Sequence, residues 1–357
     1  MLTRVLSGDP PGDRSLTVLL LVVAAGLLLA PFILPGVRTL NVAANICVFV
    51  VLVASYDLLL GYTGIVSFAH TMFFGLGGYG VAIALTKLGP GWGAVLLGAA
   101  AALIASVVLA LLIGLFSLRV KAIFFAMITL AVASAFAILA SQLSWLTGGE
   151  DGLTYQVPRL LQRGFRPFGE EGIGAVITGR TIAYYVVFFA AAALFLFLLR
   201  VVNSPFGRVL LSIRENAFRA EALGYRTVIY RTVANCIAAA VATLAGALLA
   251  LWLGYNGPDT TLSFNIMIDV LLMVVIGGMG TLYGAVLGAT VLIVAQNYLQ
   301  DLMRTLSTAA AGVPLLANLV QPDRWLLWLG ILFILSVYFF PFGIVGRLRM
   351  RRRHLSP

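Results

Sequence analysis

Long apolar runs are the feature that most limits what this chain can fold into. Charged residues make up only 10% of its 357 positions, whereas a soluble domain carries about 25%. Since a transmembrane helix needs roughly 20 mostly apolar residues, we expect spans in eight windows: 16–34, 42–60, 65–86, 93–117, 122–143, 181–199, 232–253 and 325–342. The runs are continuous rather than short and alternating, which argues against a β-barrel. The sequence therefore predicts an all-α polytopic membrane protein.

Basic residues predict the orientation of these spans. Six arginines lie in segment 200–231 and five in the tail, 343–357, and basic residues favour the cytoplasmic side of a membrane. Arg119 and Lys121 mark a further turn on that side. Residues 1–15 are predicted to be cytoplasmic too, followed by a retained helix rather than a signal peptide, because acidic residues interrupt the basic region and no clear cleavage site follows.

A ninth apolar run, 266–298, has to cross the membrane twice if the tail is to return to the cytoplasm. Splitting it at Gly277–Gly280 gives ten spans within a transmembrane domain of residues 16–342. Both pieces would be short, so one is expected to be broken or re-entrant, which is tolerated only inside protein or beside a water-filled cavity. The longest external loop is then 144–180, whose basic and acidic residues balance.

Several functional classes find no support in the sequence. The net charge of +10 is explained by the clusters beside the spans, so it does not indicate nucleic-acid binding. Cys47 and Cys236 fall in apolar windows and suit small buried hydrophobes better than a disulfide or a metal pair. The chain contains no Walker A loop and no HExxH, CxxC or GxSxG motif. We therefore predict a non-catalytic chain without a metal or a cofactor.

Residues 204–224 have an amphipathic pattern with a capping signal at each end. Ser204 and Pro205 suit the N-cap and the first helical position, and Gly224 suits the position after the C-cap. Apolar residues recur on one face and charged residues on another, which predicts one helix of about five turns. The pattern fits a helix lying on anionic lipid headgroups and equally a helix docked on a cytoplasmic protein.

A glycine-rich stretch, GYTGIVSFAHTMFFGLGGYG, occupies residues 61–80. Glycines let helices approach closely in membranes, and they also permit the broken helices that line transport sites. Close packing is the prediction for most of these glycines. Four polar residues remain as candidates for a substrate pathway: Tyr62, Thr63, Ser67 and His70. A lone histidine is no metal site, so His70 is expected to be a neutral hydrogen-bonding group.

Two further features lie within apolar windows. Gly280, Gly284 and Gly288 are spaced to share one face of a helix, which favours helix packing, with a flexible gate as an additional role. Asp57 and Asp269 are intramembrane acids and so are candidates for a functional site. Asp57 is expected near a membrane edge, where it would reach water, and Asp269 near the outer end of its span. Either could bind a substrate ammonium group.

Four segments together resemble one family, the branched-chain amino acid ABC importer permeases. They are GYTGIVSFAHTMFFGLGGYG (61–80), LTGGEDGL (146–153), SPFGRVLLSIRENAFRAEALGYR (204–226) and VLLMVVIGGMGTLYGAVLGA (270–289). The third resembles the LivM-type subunit rather than its LivH-type sister. The order and spacing of the motifs extend the resemblance over about residues 40–342.

The resemblance implies a five-part importer in a bacterial or archaeal inner membrane, with a fold like that of the vitamin B12 and ribose importers. A LivM-type and a LivH-type permease would form the pathway, two cytoplasmic ATPases would bind below, and a periplasmic or extracellular binding protein would deliver the substrate. Residues expected at the ATPase are Ser204, Pro205, Phe206, Gly207, Arg208, Ile213, Arg214, Glu215, Arg219, Glu221 and Gly224. Residues expected at the binding protein are Thr147, Glu150 and Asp151.

The chain departs from the family pattern at two positions. Ala69 stands where the family usually has glycine, and Glu150 stands where a serine or threonine is common. Urea and short-chain amide permeases share these motifs, so the sequence is also compatible with a urea or amide importer. An ion-coupled secondary transporter and a structural membrane subunit without a pathway of its own stay open as well, although a secondary transporter should carry several paired intramembrane charges.

Overall fold

A computed structural model describes residues 14–33, 36–117, 122–162, 164–165, 178–309, 321–340 and 343–346. The first half of the chain forms α1 (Arg14–Ile33), α2 (Val37–Thr63), α3 (His70–Leu88), α4 (Trp92–Ser117), α5 (Ala122–Gln142) and α6 (Ser144–Thr147). The second half forms α7 (Gly179–Val202), α8 (Pro205–Glu215), α9 (Ala217–Ala222), α10 (Thr227–Leu253), α11 (Pro258–Thr261), α12 (Phe264–Gly277), α13 (Leu282–Ala309) and α14 (Trp325–Phe339). Arg119, Lys121 and most of both predicted termini lie outside the described residues.

Ten helical stretches in the described part of the chain are long and apolar enough to cross a membrane. The all-α polytopic fold is therefore confirmed, and so is the division of the last long apolar run, because α12 ends at Gly277 and α13 begins at Leu282. The prediction that both pieces are short holds only for α12, which has 14 residues, whereas α13 has 28. The likeness to the vitamin B12 and ribose importers stays a prediction.

Three helices form the centre of the bundle. Within the apolar windows of α2, α3 and α10, the buried shares are 89%, 67% and 72%, whereas α1, α4, α5 and α14 reach at most 22%. The outer helices therefore turn most of their apolar side chains away from the protein, as lipid-facing helices do. Cys47 is buried in α2 and Cys236 is half-buried in α10, and both are free thiols.

Glycines allow α3 and α10 to touch backbone to backbone. A Cβ atom on Gly77 would lie 1.8 Å from the carbonyl oxygen of Thr243, and one on Gly246 would lie 1.8 Å from that of Phe74. Neither oxygen belongs to a flexible side chain, so no larger residue fits without separating the helices. The packing predicted for this glycine-rich stretch is thereby confirmed.

A proline in α1 is compensated by a neighbouring helix. Pro31 has no N–H, so the carbonyl of Leu27, four residues earlier, loses its helical partner. The hydroxyl of Tyr184 on α7 donates to this carbonyl, and the adjacent Tyr185 hydroxyl donates to the Leu28 carbonyl at 2.9 Å. Two side-chain hydrogen bonds thus attach a helix that has little buried surface.

Two stretches interrupt the helices of the transmembrane region. The first interruption comprises residues 64–69 and the second comprises residues 278–281. The prediction of a helix throughout 65–86 is wrong at its start, because Gly64 ends α2 with φ 71° and regular helix resumes only at His70. The chain between them is extended or bent rather than helical.

The two ends of the bundle differ in structure. At one end, β1 (Leu153–Thr154) pairs antiparallel with β2 (Tyr255–Asn256), joining the long loop after α5 to the end of α10. We call this the sheet end, and residues 163 and 166–177 of its loop lie outside the described part. The opposite end, here called the basic end, carries α8 and α9 together with the second interruption.

Candidate functional site

Helix α8 begins with the predicted cap. The Ser204 Oγ accepts a hydrogen bond from the Gly207 amide at 3.4 Å, and Pro205 occupies the first helical position. The same hydroxyl donates to the Val201 carbonyl at 2.6 Å, which links the start of α8 to the end of α7. The cap thus fixes the angle at which the chain leaves the membrane-spanning helix.

The single long helix predicted for 204–224 is wrong, because the chain breaks at Asn216. That residue is extended, with φ −157° and ψ 98°, and its Oδ1 accepts from the Arg219 amide at 2.9 Å to cap a second helix, α9. Asparagine favours an N-cap over a helix interior because its side chain competes for backbone groups. Gly224, with φ 92°, ends α9 as predicted. We call α8 and α9 together the α8–α9 unit.

Part of the predicted ATPase contact faces this chain instead. Ile213 is 1% exposed and Gly207 is buried. A Cβ on Gly207 would lie 2.0 Å from the Val202 carbonyl oxygen, and the Phe206 ring stacks on Tyr230 with centroids 5.8 Å apart. These side chains anchor the α8–α9 unit to the bundle, so they are not available to a partner.

The outward side of the α8–α9 unit carries charges around an aromatic residue that the sequence reasoning missed. Phe218 is 83% exposed, and among the predicted contact residues Pro205, Arg208, Glu215, Arg219 and Glu221 are exposed as well. Treating 204–224 as one helix concealed Phe218, because the break at Asn216 changes the phase of every later residue. An asparagine followed by a helix-forming stretch was the signal that could have revealed it.

Arg214 connects the α8–α9 unit to the end of α2. Its guanidinium donates to the Gly61 carbonyl, and its aliphatic stem lies 3.3 Å from where a Cβ of Gly64 would stand. The same guanidinium lies 2.8 Å from the ideal Cβ position of Gly280 in the second interruption. One arginine thus touches both interruptions.

Asp57 lies one helical turn before Gly61 in α2, next to this contact. The expectation that it reaches water is wrong, because Asp57 is 1% exposed, and its Oδ1 accepts from the Gly280 amide at 2.8 Å. A Cβ on Gly61 would lie 2.1 Å from that oxygen and 2.3 Å from the Gly280 nitrogen. Only glycine at position 61 lets α2 and the second interruption meet in this way.

The predicted helical face of three glycines is only partly formed. Gly280 lies in the second interruption, with φ 80°, so it does not share a helical face with Gly284 and Gly288. Gly277 takes its place, since a Cβ there would lie 2.0 Å from the Gly284 carbonyl oxygen, while one on Gly288 would lie 1.9 Å from that of Met273. Close packing of α12 on α13 is the result.

A cavity of about 510 Å³ opens between these elements at the basic end. It is lined by Tyr62, Leu199, Val202, Asn203, Arg208, Leu211, Gly280, Thr281, Leu282 and Tyr283. One predicted pathway residue, Tyr62, thus shares a cavity with Arg208 of the α8–α9 unit. The cavity adjoins both the end of α2 and the second interruption.

Other pathway candidates lie near the first interruption. Ser67 is 1% exposed, and Thr63 donates to the Leu59 carbonyl of its own helix at 2.6 Å. The Nε2 of His70 lies 2.8 Å from the Ser55 hydroxyl. The same hydroxyl lies 2.7 Å from the Leu52 carbonyl, so Ser55 links His70 to the backbone of α2.

The six pathway candidates do not converge on one site. Asp269 accepts from the Gln296 side chain at 3.0 Å, between α12 and α13. Asp57 and Tyr62 lie in the last turns of α2, and His70, at the start of α3, contacts Ser55 and Tyr56 of α2. Asp269, on α12, lies apart from this group.

The LTGGEDGL motif, residues 146–153, forms a glycine-rich turn at the sheet end. Thr147 is buried, and its hydroxyl contacts the carbonyls of Ala140 and Leu143 at 2.5 and 2.8 Å. Its side chain is therefore directed into the turn. Glu150 and Asp151 are exposed, so two of the three residues predicted for this contact have accessible side chains.

Comparisons with known proteins identify relatives over most of the chain. Residues 38–337 match the family model described as branched-chain amino acid transport system / permease component. The LivM permease protein of the Escherichia coli high-affinity branched-chain amino acid transport system is 26% identical over 302 residues, which cover 80% of this chain and 69% of the relative. Its Salmonella typhimurium counterpart is 25% identical over 298 residues, with the same coverage. The Pseudomonas aeruginosa permease BraD is 27% identical over 285 residues, covering 77% of this chain and 90% of the relative. No solved structure matches the chain.

Proposed function

Because this chain belongs to the family of branched-chain amino acid transport permease components, we propose that it moves aliphatic amino acids across a cell membrane as half of the pathway of an ATP-driven importer. It is a multi-pass membrane permease subunit of the LivM type. Its partners in this proposal are a LivH-type permease, two cytoplasmic ATPases and an external binding protein.

The observation that carries the ATPase part of this proposal is the outward side of the α8–α9 unit. Phe218 is a large apolar side chain, 83% exposed, outside the ten apolar spans. An aromatic residue surrounded by charges is typical of an anchor that fills a pocket on a partner protein. Exposed glutamates beside it disfavour burial in an anionic lipid surface, so a patterned protein groove is the better fit.

The orientation follows from this assignment. An ATPase works in the cytoplasm, so the basic end is placed there and the sheet end outside, with Glu150 and Asp151 facing the binding protein. The positive-inside rule supports the same orientation. Ion-coupled transport gains no support from the intramembrane acids, because Asp57 bonds to the Gly280 amide and Asp269 to the Gln296 amide group.

Reconstitution tests the proposed transport. The complete complex is placed in liposomes with ATP inside and loaded binding protein outside, and uptake of leucine is measured with competing isoleucine, valine or urea. We expect uptake that stops when ATP hydrolysis is blocked and that isoleucine and valine compete for. Uptake that persists without ATP and collapses with the ion gradient would contradict the proposal, and competition by urea alone would favour an amide importer.

Substitutions in the α8–α9 unit test the docking. Phe218→Ala, Arg208→Glu and Glu215→Arg are each expected to reduce co-purification of the ATPases while leaving membrane insertion intact. Trp145→Ala provides the control, because Trp145 is 74% exposed but lies at the sheet end. Unchanged ATPase recovery with all three variants would show that the partner binds elsewhere.

A further inference from the structure

The second interruption, residues 278–281, has the form of a hinge, and two side chains, Asp57 and Arg214, link it to the rest of the bundle. Gly278 and Gly280 have φ angles of 114° and 80°, a region that glycine enters at no steric cost. On either side, α12 and α13 pack so closely at Gly277 and Gly284 that a Cβ on Gly277 would lie 2.0 Å from the Gly284 carbonyl oxygen. Relative motion is therefore concentrated in the dihedral angles of the interruption.

The first link is the hydrogen bond between Asp57 and the Gly280 amide. The Oδ1 of Asp57 accepts this hydrogen bond at 2.8 Å, and Asp57 itself is 1% exposed. Leaving a backbone amide inside the protein without a partner is costly. The interruption is consequently bound to the last turns of α2.

The second link is the hydrogen bond that Arg214 donates to α2. Arg214 extends from α8 to the Gly61 carbonyl, four residues after Asp57, and positions four apart lie on the same face of a helix. One short stretch of α2 therefore contacts the α8–α9 unit through the Gly61 carbonyl and the second interruption through the Asp57 side chain. Leu210 and Ile213, with exposures of 0% and 1%, fix the rest of α8 to the bundle.

We propose that Arg214 and Asp57 are positioning residues that make the Gly278–Gly280 hinge follow displacements of the α8–α9 unit. The inference rests on the proposed function, in which an ATPase moves that unit. A pull on α8 is transmitted by Arg214 to the end of α2, and Asp57 transmits it to the Gly280 amide. The backbone conformation of the Gly278–Gly280 turn then changes with the state of the ATPase.

Transport per ATP is the first measurement. In the reconstituted complex, Arg214→Ala and Asp57→Ala are expected to leave ATPase recovery unchanged and to lower the amount of amino acid moved per ATP by about tenfold, a normal size for coupling between sites. Asp57→Asn keeps an oxygen acceptor for the Gly280 amide, so it is expected to retain most of the coupling. Arg226→Ala and Asp301→Ala are the matched controls, an exposed arginine of the same loop and a carboxylate elsewhere in the bundle.

Labelling of the hinge is the second measurement. Met279 is half-exposed in the interruption, so Met279→Cys, with Cys47 and Cys236 replaced by alanine, is treated with a maleimide in the detergent-solubilised complex. In the otherwise unchanged complex, the labelling rate is expected to differ between the nucleotide-free and ATP-trapped states. Arg214→Ala and Asp57→Ala should abolish that difference, whereas a purely structural role would leave it in place.

The outcomes separate this inference from the proposed function. If the unsubstituted complex shows no ATP-driven uptake, the proposed function fails, and the hinge proposal fails with it. If uptake is normal and both alanine variants keep their transport per ATP and the state-dependent labelling, the hinge proposal alone is wrong. Loss of ATPase recovery in Arg214→Ala, with normal coupling in Asp57→Ala, would also overturn it.

Discussion

The two interruptions of the transmembrane helices solve one problem, unpaired backbone inside a membrane, in different ways. In the first interruption, the backbone is supported by a different helix, since the Phe68 amide donates to the Thr129 hydroxyl of α5 at 3.0 Å. In the second, much of the support is local, because the Thr281 hydroxyl donates to the Gly278 carbonyl at 2.8 Å. Asp57, which belongs to α2, adds one hydrogen bond from outside this turn, to the Gly280 amide.

The glycines near the two interruptions also differ in purpose. Those after the first lie within α3 and permit close contacts, Gly77 with α10 and Gly80 with α4, so they serve packing. Gly278 and Gly280 of the second have left-handed backbone and serve a turn. The contrast teaches that glycine-rich stretches of similar composition can build a rigid contact in one place and a hinge in another.

The largest effect is expected from Gly77→Ala. The added Cβ would lie 1.8 Å from the Thr243 carbonyl oxygen, so α3 and α10 must separate, and overpacking of this kind costs about 3 kcal/mol. The free energy of unfolding is measured by titration with a denaturing detergent. Gly93→Ala is the control, since nothing lies within 4 Å of its new methyl group. Equal stability of the two variants would contradict the conclusion that glycine at position 77 is needed for α3 to pack on α10.

A smaller loss of stability is expected from Gly280→Ala. Alanine at φ 80° is strained by about 1–2 kcal/mol, while the nearest atom to the new methyl group is the movable end of Arg214. Thermal unfolding and uptake are measured together, and uptake should fall more than stability. Gly89→Ala carries the same type of strain at φ 89° with open space around it, so it should lose stability without losing uptake. A loss of stability as large as that of Gly77→Ala would show that the second interruption is tightly packed and does not act as a hinge.

Thr129→Val tests the support that the first interruption receives from α5. Valine keeps the shape but leaves the Phe68 amide without an acceptor, which should cost about 1 kcal/mol. Hydrogen exchange at the Phe68 amide is the most direct readout and should accelerate. Thr129→Ser retains the hydroxyl and should behave like the unsubstituted protein. Protection that survives in the valine variant would indicate that this bond does not hold the segment.

The smallest effect is expected from Thr281→Val. It removes a local bond in a turn that Asp57 also holds, so a loss of about 0.5 kcal/mol is expected. The midpoint of thermal unfolding is compared with that of Thr281→Ser. A loss larger than that of Thr129→Val would mean that the second interruption depends on its own turn more than the first depends on α5.

Regular patterns made much of the fold predictable. Apolar runs located the ten spans, and the glycines of Gly277–Gly280 located the second interruption, because both signals are local and repeated. Asn216 was missed because its capping preference acts at one residue, against a helical period that continues through it. Its consequence, the exposure of Phe218, was missed with it.

The contacts of the site could not be predicted for a different reason. Asp57 and Gly280 are 223 positions apart, and Arg214 and Gly61 are 153 apart. Nothing in either local sequence specifies its partner, because the pairing is created by helix packing. The same holds for Thr147, whose burial depends on how the turn after α5 folds back on that helix.

The proline of α1 has a consequence for the order of synthesis. Leu27 and Tyr184 are separated by 157 residues, so the carbonyl that Pro31 leaves unpaired meets its donor only after α7 has been made. During biogenesis α1 is therefore synthesised well before α7, the helix that supplies this hydrogen-bond donor. The firm attachment of α1 to the bundle is consequently a late event, and nascent chains that end before Tyr184 lack it.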